Sequence, residues 1–167
     1  KAVVLAPLDA DAHYNLGVTL HDLGRFEEAE SSYAQAIVLE PDLAEAHNNY
    51  GNMLKELGRL DESEASCKQA IALKPDYAEA HNNLGNTLKE LSRLDEAEVS
   101  YKQAIALQPD LATAYWNLYG SQKNIQSAEY WIDKCLEADD NYVEARLTKA
   151  ALRFYQGDRS NFDELMQ

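Results

Sequence analysis

Four prolines, Pro7, Pro41, Pro75 and Pro109, recur every 34 residues along the chain. A fixed period of that length belongs to chains built from stacked supersecondary units, each burying its apolar side only against its neighbours. The copies are close: residues 42–75 and 76–109 differ at eight of 34 positions, the mark of an internal duplication. Such a stack offers extended surfaces, so the expected work is holding other molecules. The partner itself is not named by the repeat.

Within one unit the first half places apolar side chains at Ala46, Tyr50, Met53, Leu54 and Leu57. This is the stripe of an amphipathic helix and not the alternation of a strand. Ser63, Cys67, Ala70 and Ile71 continue the same pattern in the second half. Gly58-Arg59 lies between the halves and Lys74-Pro75-Asp76 ends the unit. Glycine is the natural end of the first helix, and proline cannot continue the second. Asp42-x-x-Glu45, Asp76-x-x-Glu79 and Asn141-x-x-Glu144 have the form of a capping box at the next start. Each unit is therefore expected to be a helix–turn–helix pair.

The spacing His13-x2-Leu16-Gly17-x2-Leu20, Ala29-x3-Tyr33 and Pro41 resembles the tetratricopeptide repeat. The resemblance implies an all-α, right-handed superhelical solenoid. It makes Gly17, Gly51 and Gly85 the points where paired helices meet closely, with Ala29, Ala97, Ala36, Ala70 and Ala104 on the other small-residue columns. His13, His47 and His81 stand where the family packs an aromatic, which makes them core residues. The chain divides into the end of a preceding repeat at 1–9, repeats at 10–43, 44–77, 78–111 and a shortened 112–142, and a partial, divergent fifth at 143–167. It starts and stops inside repeats, so it is expected to be a fragment of a longer protein. Two departures stand out: Tyr119 occupies the glycine column of the fourth unit, which should splay that pair, and Lys149-Ala150 replaces Leu-Gly in the fifth.

The 29 acidic and 15 basic residues give a net charge of −14. That excludes the clustered Lys and Arg that nucleic acid or an anionic membrane surface demands. No apolar run reaches the ~18–20 residues of a bilayer span. Cys67 and Cys135 lie on helix stripes 68 positions apart, as small core residues of a reducing, cytoplasmic setting.

The main functional candidates are amides. Asn15, Asn49, Asn83 and Asn117 recur in mid-helix, and Asn48, Asn52, Asn82 and Asn86 widen the column in the two most regular units. Asn is a mediocre helix former, so its repetition calls for a reason. The family resemblance puts this helix on the concave face. There an amide ladder could read the N–H and C=O groups of an extended peptide, or the amides could bond to one another. The phrase His81-Asn-Asn-Leu-Gly-Asn-Thr-Leu-Lys-Glu90 is similar to repeats of the O-linked N-acetylglucosamine transferases, which carry such a ladder. Lys55, Lys89 and Lys123, with His21 in the first unit, form a second column able to steer acidic side chains. Asp11, Glu45, Glu79 and Thr113 occupy the early positions where chaperone-binding relatives carry cations, which disfavours a carboxylate clamp. Tyr14 and Trp116 could anchor a partner at either end; Tyr115, Tyr119, Tyr130 and Trp131 are assigned to the core.

The histidines are too far apart for a metal site, being a two-helix unit apart when neighbouring helices alone stand ~8–10 Å apart. No phosphate loop or nucleophile–base spacing is present, so neither catalytic residues nor a cofactor are expected. The sequence thus points to a protein–protein interaction module that takes a peptide in a groove. Alternatives are the substrate-recruiting region of a larger transferase, or a scaffold that self-associates through its open ends.

Overall fold

The computed structural model describes residues 9–121 and 125–155. Nine helices and no strands occur among the described residues: α1 Ala10–Asp22, α2 Phe26–Leu39, α3 Ala44–Glu56, α4 Leu60–Leu73, α5 Ala78–Glu90, α6 Leu94–Leu107, α7 Ala112–Tyr119, α8 Ile125–Ala138 and α9 Val143–Tyr155. Consecutive helices pack against each other throughout, giving an all-α repeat solenoid. None of the described helices is long and apolar enough to cross a membrane.

Close pairing rests on the glycine column. A Cβ on Gly17 would lie 2.8 Å from the ring of Tyr33, one on Gly51 2.8 Å from Cys67 Sγ, and one on Gly85 2.5 Å from the ring of Tyr101. Tyr33, Cys67 and Tyr101 are fully buried against those bare backbones. The turn between paired helices needs a left-handed residue, supplied by Gly24 at φ 71°, Gly58 at φ 74° and, in the third unit, Ser92 at φ 62°. Leu57, expected on the buried stripe, is instead the residue that closes α3 and is 40% exposed.

The capping boxes do not form at the second and third units. Leu43 and Tyr77 are the N-caps of α3 and α5 and neither makes a side-chain cap bond. The register is one residue later than the Asp-x-x-Glu pattern requires. α1 does have a side-chain cap, Asp9 Oδ1 accepting from the Ala12 N–H at 3.1 Å.

Successive first helices, α1, α3, α5 and α7, lie against one another as well as against their partners, whereas among the described residues successive second helices have no comparable contact. The first-helix side is therefore the shorter, inner side of the curve. On the outer side long side chains span the wider gap: Arg59 joins Glu30 at 2.7 Å and Glu62 at 2.6 Å, and Arg93 joins Glu64 at 2.7 Å and Glu96 at 2.5 Å.

Regularity breaks at the fourth unit. With Tyr119 in the glycine column, α7 stops after eight residues where its counterparts run for 13. Tyr115, Ile132, Cys135 and Ala145 form a local core there, and Trp116, Tyr119 and Trp131 pack on it half-buried. Tyr130 corrects the expectation of burial. It faces outward, 54% exposed, with its ring edge-on to Trp131 at 4.8 Å.

Candidate functional site

The inner face carries two adjacent columns, one residue apart on each first helix. Asn15, Asn49, Asn83 and Asn117 form one, and Tyr14, Asn48, Asn82 and Trp116 the other. The stack brings the first column of each unit onto the second column of the unit before. Asn49 Nδ2 donates to the Tyr14 hydroxyl at 2.9 Å, Asn83 Nδ2 to Asn48 Oδ1 at 3.0 Å, and Asn117 Nδ2 to Asn82 Oδ1 at 3.0 Å. Short amides suffice as rungs because the helices are close on this side. Asn15 is exposed at the N-terminal end of the column.

The rungs are not equivalent. Asn48 also donates to Asn49 Oδ1 at 3.2 Å and lies 3.4 Å from the Tyr77 hydroxyl, so the amides of the second unit largely satisfy one another. In the third unit Leu111 stands where Tyr77 did. Among the described residues the Asn82 N–H groups and the side-chain oxygens of Asn83 and Asn117 meet no further protein partner. Asn82 is buried to 8% exposure while Asn83 and Asn117 are half-buried, so these polar atoms line the floor of the inner face.

Asn52 and Asn86 have separate duties. Asn52 donates to Glu56 Oε1 at 3.2 Å, and Glu56 Oε2 lies 3.0 Å from His21 Nε2. Asn86 Oδ1 accepts the Tyr101 hydroxyl at 2.9 Å and so serves the helix pair more than the groove. Neither Lys55 nor Lys89 has a carboxylate at ion-pair distance among the described residues, and both are half-buried. Lys89 Nζ lies 2.9 Å from where a Cβ on Gly120 would be, at the carboxyl end of α7, where the helix dipole favours a cation. Lys123 lies outside the described residues.

Tyr14 is half-buried with its ring 6.4 Å from that of Tyr33. Burial, followed by the nearby Glu45 charge, pushes its hydroxyl pKa up, so it stays protonated while accepting from Asn49. Trp116 is half-buried, with ring centres of Tyr119 and Tyr142 at 5.0 and 5.8 Å. Glu45 is held below the usual carboxylate range by its own backbone N–H and then by Lys74 at 3.1 Å.

His13 is buried, whereas His47 and His81 are half-buried and tether the inter-unit loops. Their Nε2 atoms lie 3.0 Å from the carbonyls of Pro41 and Pro75, and the Tyr115 hydroxyl reaches Pro109 O at 3.2 Å. A carbonyl only accepts, so Nε2 carries the hydrogen. No group of three potential metal ligands occurs among the described residues. Sequence reasoning missed Tyr77 and Glu56 as partners of the columns. Tyr77 had a signal, since it is one of the eight differences between the duplicated units.

Comparison with known proteins gives the same reading of the chain. Models of the tetratricopeptide repeat match residues 42–110 and 10–43. No curated protein matches. Among solved structures, PilF of Pseudomonas aeruginosa superposes with a TM-score of 0.82 at 20% identity, covering 98% of this chain and 76% of that one. YrrB, a TPR protein with an unusual peptide-binding site, has a TM-score of 0.70 at 18% identity, covering 98% and 86%. The first TPR of Spaghetti (RPAP3), bound to the HSP90 peptide SRMEEVD, has 0.65 at 23% identity, covering 67% and 89%. At these identities the likeness is one of fold.

Proposed function

The chain belongs to the tetratricopeptide-repeat family, and from that premise we propose that it is a protein-interaction module whose inner face holds an extended segment of a partner protein. The observation that carries this reading is the open third rung. Asn82 offers amide donors, and Asn83 and Asn117 offer carbonyl acceptors, with no other partner among the described residues. An extended peptide presents the complementary pair at each residue, and an amide is the side chain able to answer both. The remaining members of the columns, Asn15, Asn49, Tyr14 and Trp116, continue the track to either side, while Asn48 backs it. Lys55 and Lys89 lend the track positive charge in a chain of net charge −14, favouring segments with acidic side chains. YrrB and RPAP3 support the reading as relatives in fold whose descriptions name peptide binding.

The test is a peptide-display selection on the native chain beside an Asn15, Asn49, Asn83 and Asn117→Ala variant, after circular dichroism has established equal helicity. Extended peptides enriched by the native chain and lost in the folded variant are the expected result. Enrichment of the same peptides by both would reduce the ladder to a structural device.

A further inference from the structure

One position in the repeat is filled in three different ways, and the middle way leaves a void. Between the first and second units, Tyr33 and Tyr50 both carry rings, 6.3 Å apart, and the Tyr50 hydroxyl donates to Glu30 Oε1 at 3.0 Å. Between the third and fourth units Tyr101 keeps its ring and Leu118 stands opposite, both buried. Between the second and third units both positions shrink, to Cys67 and Leu84. At that junction the outer side of the stack has an open pocket of about 370 Å³ between α4 and α6, within the size range of small-ligand sites. Leu84 and Leu88 of α5 line it together with Val99, which is 68% exposed where the preceding units have Ser31 and Ala65.

The polar rim repeats the same comparison. Glu64 lines the pocket at the position that Glu30 holds one unit earlier, and Arg93 anchors it at 2.7 Å as Arg59 anchors Glu30. Where Glu30 takes the Tyr50 hydroxyl as its second donor, Glu64 takes the exposed Lys68 at 2.6 Å. A carboxylate has room for about four hydrogen bonds, so Glu64 retains acceptor capacity.

We propose that this pocket between α4 and α6 binds a tyrosine side chain of a partner protein, its ring on Leu84, Leu88 and Val99 and its hydroxyl donating to Glu64. The molecule itself displays the complex: Tyr50 on Glu30 is the occupied form of the site that Leu84 leaves empty. The ring supplies apolar burial and the charge-assisted hydrogen bond supplies selectivity over phenylalanine. The site is on the opposite side from the asparagine columns and does not depend on the groove reading.

The experiment is an NMR titration of the ¹⁵N-labelled chain with N-acetyl-tyrosinamide and, in parallel, N-acetyl-phenylalaninamide. Saturable shifts centred on Leu84, Leu88 and Val99, with the tyrosine probe about tenfold tighter, are expected from a hydrogen bond to a charged group. Leu84→Tyr should fill the pocket from within, abolish the shifts and leave the melting temperature unchanged or higher. Glu64→Gln should shrink the preference for tyrosine, and Asn83→Ala should leave the titration as it was. Equal affinity for the two probes, shifts centred elsewhere, or binding that survives Leu84→Tyr would each overturn the proposal. So would a Leu84→Tyr chain that does not fold, because the argument requires that a ring be accommodated there.

Discussion

Two tyrosines in equivalent positions show how much one neighbour decides. Tyr101 and Tyr33 are both fully buried, but Tyr101 donates to Asn86, whereas Val18 stands at the matching position below Tyr33. Among the described residues the buried Tyr33 hydroxyl has no hydrogen-bond partner. The same substitution should therefore have opposite signs. Tyr101→Phe loses a hydrogen bond and should cost about 1 kcal/mol, while Tyr33→Phe removes a stranded polar group and should gain about 1 kcal/mol. Urea denaturation of the two variants checks this, and equal signs would refute it. The asparagines could be found in the sequence as a column of the right residue type. Their pairing could not, because Asn83 meets Asn48 and not Asn49. That offset of one residue comes from the rotation between stacked units, a property of the packing that no single unit encodes.

The helices themselves are dictated locally, and their periodicity and punctuation were readable for that reason. The capping boxes of the second and third units were misread because a pattern such as Asp42-x-x-Glu45 has the right spacing in the wrong register: α3 starts after Leu43. The turns allow a direct check. Gly24 and Gly58 sit at positive φ with nothing within 4 Å of a built Cβ, so conformation and not space selects glycine there. Ser92 adopts the same conformation with a side chain, at a strain of ~1–2 kcal/mol. Ser92→Gly releases that strain but restores ~0.4–1 kcal/mol of unfolded-chain freedom. The net gain should be about 0.5 kcal/mol, and Gly58→Ser should lose as much, both read from denaturation midpoints. Inside the helices the balance tips the other way. Gly85→Ala gains ~1 kcal/mol of helix propensity, yet its Cβ would lie 2.5 Å from a Tyr101 ring that is fully buried and tethered to Asn86. Overpacking of ~1–3 kcal/mol should outweigh propensity, so thermal unfolding of the variant should come at a lower temperature.

Because each unit rests on its neighbours, groups spread along the stack should titrate into one common unfolding event, and their signs set a window of pH. On the acid side Glu45, Glu62, Glu64 and Glu96 are all held below the ordinary 4.5. Glu45 owes this first to its own backbone N–H, Glu62 and Glu96 to Arg59 and Arg93, and Glu64 to Lys68. A depressed folded value means the unfolded chain takes up protons first. The contribution is present above pH ~4.5 and is lost as pH falls through the folded values. On the alkaline side burial raises Tyr33, Tyr50, Tyr77 and Tyr101 above the ordinary 10.0, Tyr77 to about 12. Here the folded chain holds its protons longer, so stability is complete below pH 10 and is lost above it. The melting temperature should therefore be nearly flat between about pH 5 and pH 9 and fall on both sides. In an absorbance titration of the tyrosines, these four raised groups are the ones to follow. The buried set should ionise together, at the pH where helical ellipticity collapses. A single smooth titration of all the tyrosines with the helices intact would mean that their rings are not packed between units as the stack requires.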